Sequence, residues 1–256
     1  SGRAVKSLKK INLIAFIFII CGCTGIEKRI STAQKIAVPA GLQPIHFNTS
    51  PFKLFGYGRV KVRKKSLVVF IEGDGLAYIT KSRPSSNPTP TDPISLRLAA
   101  VSSNSNVLYI GRPCQYLKIS SQKNCAQKYW TTARFSEEVI TSVNQAVDIG
   151  MKMTNAQVVH LVGYSGGGAV AALIAARRSD IGSLRTLAGY LDHKTLNHKR
   201  KVTQLYQSLD PIAIAASIRH IPQIHYLLLL YTKYLIFFLY PRVAFFLKTF
   251  YHWVML

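Results

Sequence analysis

"HLVGYSGGGAV", running from His160 to Val170, decides how the rest of the chain is read. The residues leading into it, "QVVHLV", read as a buried strand, and those that follow, "AVAALIAARR", as a helix of Ala and Leu ending in cations. Between them Gly163-Tyr164-Ser165-Gly166-Gly167 fits G-x-S-x-G at a strand-to-helix turn, the context in which that pattern marks a nucleophile elbow. Such a turn forces the serine into a strained backbone conformation. Only small neighbours, here Gly163 and Gly167, let strand and helix approach so closely.

Outward from this stretch the chain alternates between two periods. "FKLFGYGRVKV", "SLVVFIEGDG" (Ser66–Gly75), "NVLYIGR" (Asn106–Arg112), "LRTLAGYLD" and "IPQIHY" read as strands. "ISLRLAA" and "SEEVITSVNQAVDIGMKM" read as helices, the second with Ser136 as N-cap and Glu137 and Glu138 complementing the positive end of its dipole. Asp210-Pro211 reads as an N-cap and first-turn proline opening a helix over "IAIAASIRH". "KSRPSSNPTPTDP" (Lys81–Pro93), with four prolines, is a long loop. Strands alternating with helices predict an α/β architecture with a mostly parallel sheet flanked by helices.

At 256 residues the chain suits one domain with a full core. The formal charge of +23 comes as much from few acids, ten in all, as from many bases. The cations are spread along the chain, so the charge implies a basic surface suited to anionic lipid or polymer, and no nucleic-acid partner is expected. No Lys follows the glycines of "GYSGGG", which excludes a P-loop. No metal or cofactor is called for.

The first residues look like an export signal. Arg3, Lys6, Lys9 and Lys10 precede the apolar run Ile11–Ile20, too short for an ordinary spanning helix, which needs roughly 20 residues. Ile20-Cys21-Gly22-Cys23 resembles a lipobox with Cys23 as the lipidated residue; a cleaved signal or an uncleaved anchor are the alternatives. Cys114 and Cys125 then remain as an even pair, which in an exported protein reads as a disulfide worth roughly 3 kcal/mol in the chain-entropy model. The expected organisation is a signal or anchor over 1–22, a tether over 23–50, a core over 51–226 and a divergent tail over 227–256. From Tyr226 onward there are 11 of the 27 aromatic residues and neither Gly nor carboxylate, the mark of a membrane-seeking tail or of a lost reading frame.

"VVFIEGDGLAY", "NPTPTDP", "YIGRPCQY", "KYWTTARFSEEVI", "HLVGYSGGGAVAALIAARRSDI", "LRTLAGYLDH", "SLDP" and "IPQIHY" resemble, in that order, a bacterial family of exported α/β-hydrolases. The resemblance covers residues 60–226. It implies an α/β-hydrolase fold and hydrolysis of an ester or amide in the bacterial envelope; membrane lipid as a further partner is expected from the N-terminal anchor and, in the membrane-seeking reading, from the tail. It makes Ser165 the nucleophile and Gly166 the first oxyanion donor. The second donor would come from the turn Glu72-Gly73-Asp74-Gly75, through the amide of Asp74, and Cys114 and Cys125 would be the family's disulfide.

Beyond "IPQIHY" the family pattern, a Gly-rich turn with an Asp and then a late His near a Trp, is broken, so the fold is expected to be incomplete at its C-terminal end. The order required is serine, acid, histidine. After Ser165 the only acids are Asp180, Asp192 and Asp210. Asp192, placed at a strand end, is the candidate acid, with a turn or cap carboxylate as the alternative. His252, beside Trp253, is the candidate base; His193, His198, His220 and His225 lie in positions less suited to it.

Overall fold

The computed structural model describes residues 24–63, 66–231 and 234–241. Cys23, His252 and the expected signal segment lie outside the described residues. Among the described residues eight strands form one sheet in the order β1-β2-β4-β3-β5-β6-β7-β8: β1 (Gln43–Asn48), β2 (Lys53–Val60), β3 (Leu67–Ile71), β4 (Asn106–Ile110), β5 (Val159–Tyr164), β6 (Ile181–Leu187), β7 (Gln223–Tyr231) and β8 (Tyr234–Pro241). From β4 through β7 the neighbours are parallel, while β1, β2 and β8 are added antiparallel. Helices α1 (Thr24–Ala37), α2 (Ile94–Val101), α3 (Glu137–Thr154), α4 (Gly166–Ala175) and α5 (His193–Arg200) accompany them.

Strands β3 (LVVFI) and β4 (NVLYI) are buried along their whole length because both of their faces are covered. Successive side chains point to opposite faces, so each strand serves two cores. Leu67, Val69 and Ile71 of β3, with Leu108 and Ile110 of β4, pack with Val139, Ile140 and Val143 of α3 and the alanines of α4. Val68, Phe70, Val107 and Tyr109 pack on the other face with Leu96 and Ala99 of α2 and Ala33 and Ala37 of α1. A mostly parallel sheet, helices on both faces and a strand–Gly-Tyr-Ser-Gly-Gly–helix junction at its C-terminal edge make this the α/β-hydrolase fold.

Several local expectations are corrected. Residues 23–50 are not merely a tether: residues 24–37 are helix and 43–48 an edge strand whose Phe47 is buried. Ser136 occupies the N-cap position of α3, but its hydroxyl makes no cap bond. Asp210 also makes no cap bond, and only a short 3₁₀ turn, Pro211–Ile214, follows it. At the far edge, β7 continues through the expected start of the tail into β8. Two residues separate Tyr231 from Tyr234, and a parallel return requires a dozen or more, so β8 can only pair antiparallel. Among the described residues no helix is long and apolar enough to cross a membrane.

Candidate active site

Strand β5 ends at Tyr164, and Ser165 turns the chain with φ 51° and ψ −120°, a conformation that L-residues adopt only under strain. Backbone bonds hold it there: Ser165 N donates to Leu187 O (2.9 Å), and Ser165 O accepts from Gly168 N (3.0 Å) and Tyr190 N (3.1 Å). The flanking glycines are required by space. A Cβ at 163 would lie 2.3 Å from Gly167 O, and one at 167 would lie 2.3 Å from Ile71 O and 2.5 Å from Glu72 O. The helix therefore begins directly against the end of β3.

The turn Glu72-Gly73-Asp74-Gly75 leaves β3 at this point, and the position of a Cβ on Gly73 is 3.5 Å from Ser165 Cβ. Three separate sets of contacts fix the turn. Glu72, only 2% exposed, accepts through Oε1 from Gly73 N (2.9 Å) and through Oε2 from the Tyr109 hydroxyl (3.0 Å), which is itself 2.7 Å from the Tyr116 hydroxyl. Burial pushes the Glu72 carboxyl up to about 7, against the opposing pull of these hydrogen bonds. Gly73 O accepts from Gln115 Nε2 at 3.1 Å. The Asp74 carboxylate pairs with Arg134 at 2.6 Å and Arg112 at 3.5 Å. Burial lowers the Arg112 guanidinium to about 10, so it stays charged at neutral pH.

Asp74 also lies on the elbow, since a Cβ at 166 would sit 2.1 Å from its Oδ1. The structure thus brings together Ser165, Gly166, Gly163, Gly167 and the turn bearing Asp74. Sequence reasoning missed Arg112, Arg134 and Gln115 as parts of this assembly, and it named Glu72 only as a member of the turn. The first three arrive from loops far from the turn in sequence, and no spacing rule connects them. Cys114 and Cys125 form the expected disulfide, Cα to Cα 5.7 Å, at the base of the loop that carries Arg112 and Gln115.

Asp192 is five residues past the end of β6 and caps α5, its Oδ1 accepting from Thr195 N at 3.1 Å. His193 is buried, with Nε2 3.0 Å from Leu209 O and 4.0 Å from Asp210 Oδ1; burial, foremost, raises the Asp210 carboxyl. His225 lies between Thr186 Oγ1 (2.8 Å) and Gln223 Oε1 (3.2 Å), and burial pulls its ring down to about 4. Among the described residues no histidine hydrogen-bonds the Ser165 hydroxyl, and no group of three or more His, Cys, Asp or Glu could hold a metal.

No protein-family model and no curated protein matches the sequence. Among solved structures the chain is similar to the Pyrococcus horikoshii acylaminoacyl peptidase, with 14% identity, a TM-score of 0.46, and coverage of 72% of this chain and 31% of that one. It is similar to the Pyrococcus furiosus esterase Pf2001 at 13% identity and TM-score 0.47, covering 73% and 72% of the two chains. For esterase Est22 the figures are 13%, 0.43, 75% and 52%. The chain therefore spans about a third of the peptidase and half of Est22.

Proposed function

We propose that this chain is an exported, membrane-associated serine hydrolase that cleaves an ester or amide through an acyl-enzyme on Ser165. The observation that carries the reading is the backbone of Ser165 at φ 51°, ψ −120° between β5 and α4, with the turn after β3 packed against it. Strain of this kind costs about 1–3 kcal/mol and persists where function needs the geometry. In this reading the junction is a nucleophile elbow, and the amides of Gly166 and Asp74 receive the developing oxyanion. Ser165 Oγ attacks the substrate carbonyl while its proton passes to a base. The leaving alcohol or amine takes that proton, and water then releases the acid from the serine. His252 is the proposed base and Asp192 the proposed acid. Export and lipid attachment at Cys23 rest on the charged and apolar N-terminal segments, and the Cys114–Cys125 disulfide agrees with an oxidising compartment.

A second reading is a hydrolase-fold protein that binds at the membrane without turnover. The cap bond of Asp192 to Thr195 favours it, since that carboxylate is already engaged at the start of α5. Hydrolysis of a short-chain p-nitrophenyl ester by the full-length protein, against Ser165→Ala, separates the two. Turnover above the alanine control supports the enzyme, and equal rates at background support the second reading.

A further inference from the structure

An oxyanion donor in the turn 72–75 is useful only if its amide stays fixed relative to Ser165. The turn's own sequence works against that, because Gly73 and Gly75 leave half of its residues conformationally permissive. The rigidity must come from outside the turn.

We infer that Arg112 and Arg134 are positioning residues of this site: gripping both oxygens of the Asp74 carboxylate, they hold the Asp74 amide and the start of α4 at a fixed separation. The inference rests on the reading of Ser165 as nucleophile. Arg134 Nη1 takes Oδ2 at 2.6 Å and Arg112 Nη1 takes Oδ1 at 3.5 Å, so each oxygen has its own cation. Both guanidiniums are themselves held. Arg134 Nε donates to Thr131 O at 2.9 Å, Arg112 Nη2 donates to Arg134 O, and the two lie 6.0 and 5.5 Å from the Phe135 ring centre. The loop that delivers Arg112 holds the turn a second time, since Gln115 Oε1 accepts from Arg112 N at 2.9 Å while its Nε2 donates to Gly73 O.

The charge balance gives a reason for two arginines. A single ion pair would suffice to tether a loop, and burying a second guanidinium is costly. Here the side chains of Arg112 and Arg134 are 5% and 14% exposed against one carboxylate at 17%. That carboxylate lies on Gly166, whose amide is the other oxyanion donor, and an unneutralised negative charge there would oppose the charge that develops during acyl transfer. The two cations offset the Asp74 charge where the oxyanion would develop. Gly166 fits the same arrangement, because any side chain there would push the carboxylate out of the grip.

The test uses the full-length protein with Arg134→Ala, Arg134→Lys, Asp74→Asn and the double variant Asp74→Asn/Arg134→Ala. Two quantities are read: amide hydrogen exchange in peptides covering 72–76, and the rate of Ser165 labelling by a fluorophosphonate. In Arg134→Ala, exchange over 72–76 should accelerate while α3 and β5 keep their wild-type protection, and the maximal labelling rate should fall about tenfold or more with little change in probe affinity. Arg134→Lys should recover part of both, and the double variant should be no slower than the worse single one, because the two side chains act as one unit. Unchanged exchange over 72–76 in Arg134→Ala overturns the inference. So does an unchanged labelling rate despite faster exchange. If wild-type Ser165 does not label, the nucleophile reading fails by itself, and exchange alone then decides whether the arginines hold the turn.

Discussion

Replacing Glu72 by Gln should change how stability depends on pH, with a sign and size set by the burial of its carboxyl. Glu72 is 2% exposed and follows β3 directly, with its proton affinity raised from the usual 4.5 to about 7. A folded-state value above the unfolded one means that the folded protein binds the extra proton between those limits. The stabilisation is fully present below pH 4.5 and is lost as pH rises through about 7. At about 1.4 kcal/mol for each tenfold change in proton affinity, the loss across that window is roughly 3 kcal/mol. His225 works in the opposite direction: its ring is lowered from 6.5 to about 4, so its contribution is lost as pH falls through that range. The net slope of the wild type therefore mixes two groups, and the informative quantity is the difference from Glu72→Gln. Urea unfolding at half-unit steps from pH 4.5 to 8 should show the wild type losing about 3 kcal/mol relative to the glutamine variant as pH rises. Parallel curves would refute the reasoning and place the Glu72 carboxyl in contact with water.

Two further outcomes follow from the backbone at the elbow. Ser165→Gly should raise stability by about 1 kcal/mol in the same urea assay, because glycine adopts φ 51° without strain, while removing all labelling at this position; a neutral or destabilising result would remove the case for strain. Gly167→Ala should lower stability by about 1–3 kcal/mol or more, since the methyl group meets the backbone oxygens of Ile71 and Glu72 and neither can move aside, and its unfolding midpoint should fall below that of wild type.

The parts of the fold legible in the sequence are those whose side chains carry a period. β3 and β4 were readable as apolar runs because both faces are buried, and the junction at Ser165 because close approach admits only glycine. Helix α1 was not, because Ala33 and Ala37, its fully buried residues, are too small to write an apolar stripe on a polar helix. Asp210 was misread because Asp-Pro is a good opening for a helix, yet its carboxylate faces His193 and does not cap the turn that follows. The arginines on Asp74 were illegible for a different reason. Arg112 and Arg134 stand 38 and 60 residues from it, and only the folded chain brings them together. Antiparallel β8 was also unforeseen, although the two-residue connection to β7 dictates its direction once both segments are strands.

The central claim is that Ser165 is an activated nucleophile, and covalent capture tests it most directly. The native full-length protein is treated with a fluorophosphonate and analysed by intact and peptide mass spectrometry, with Ser165→Ala and a heat-denatured sample as controls. A single adduct on the peptide containing Ser165, absent from both controls, is the expected result. A folded sample that carries no adduct at Ser165 would contradict the claim.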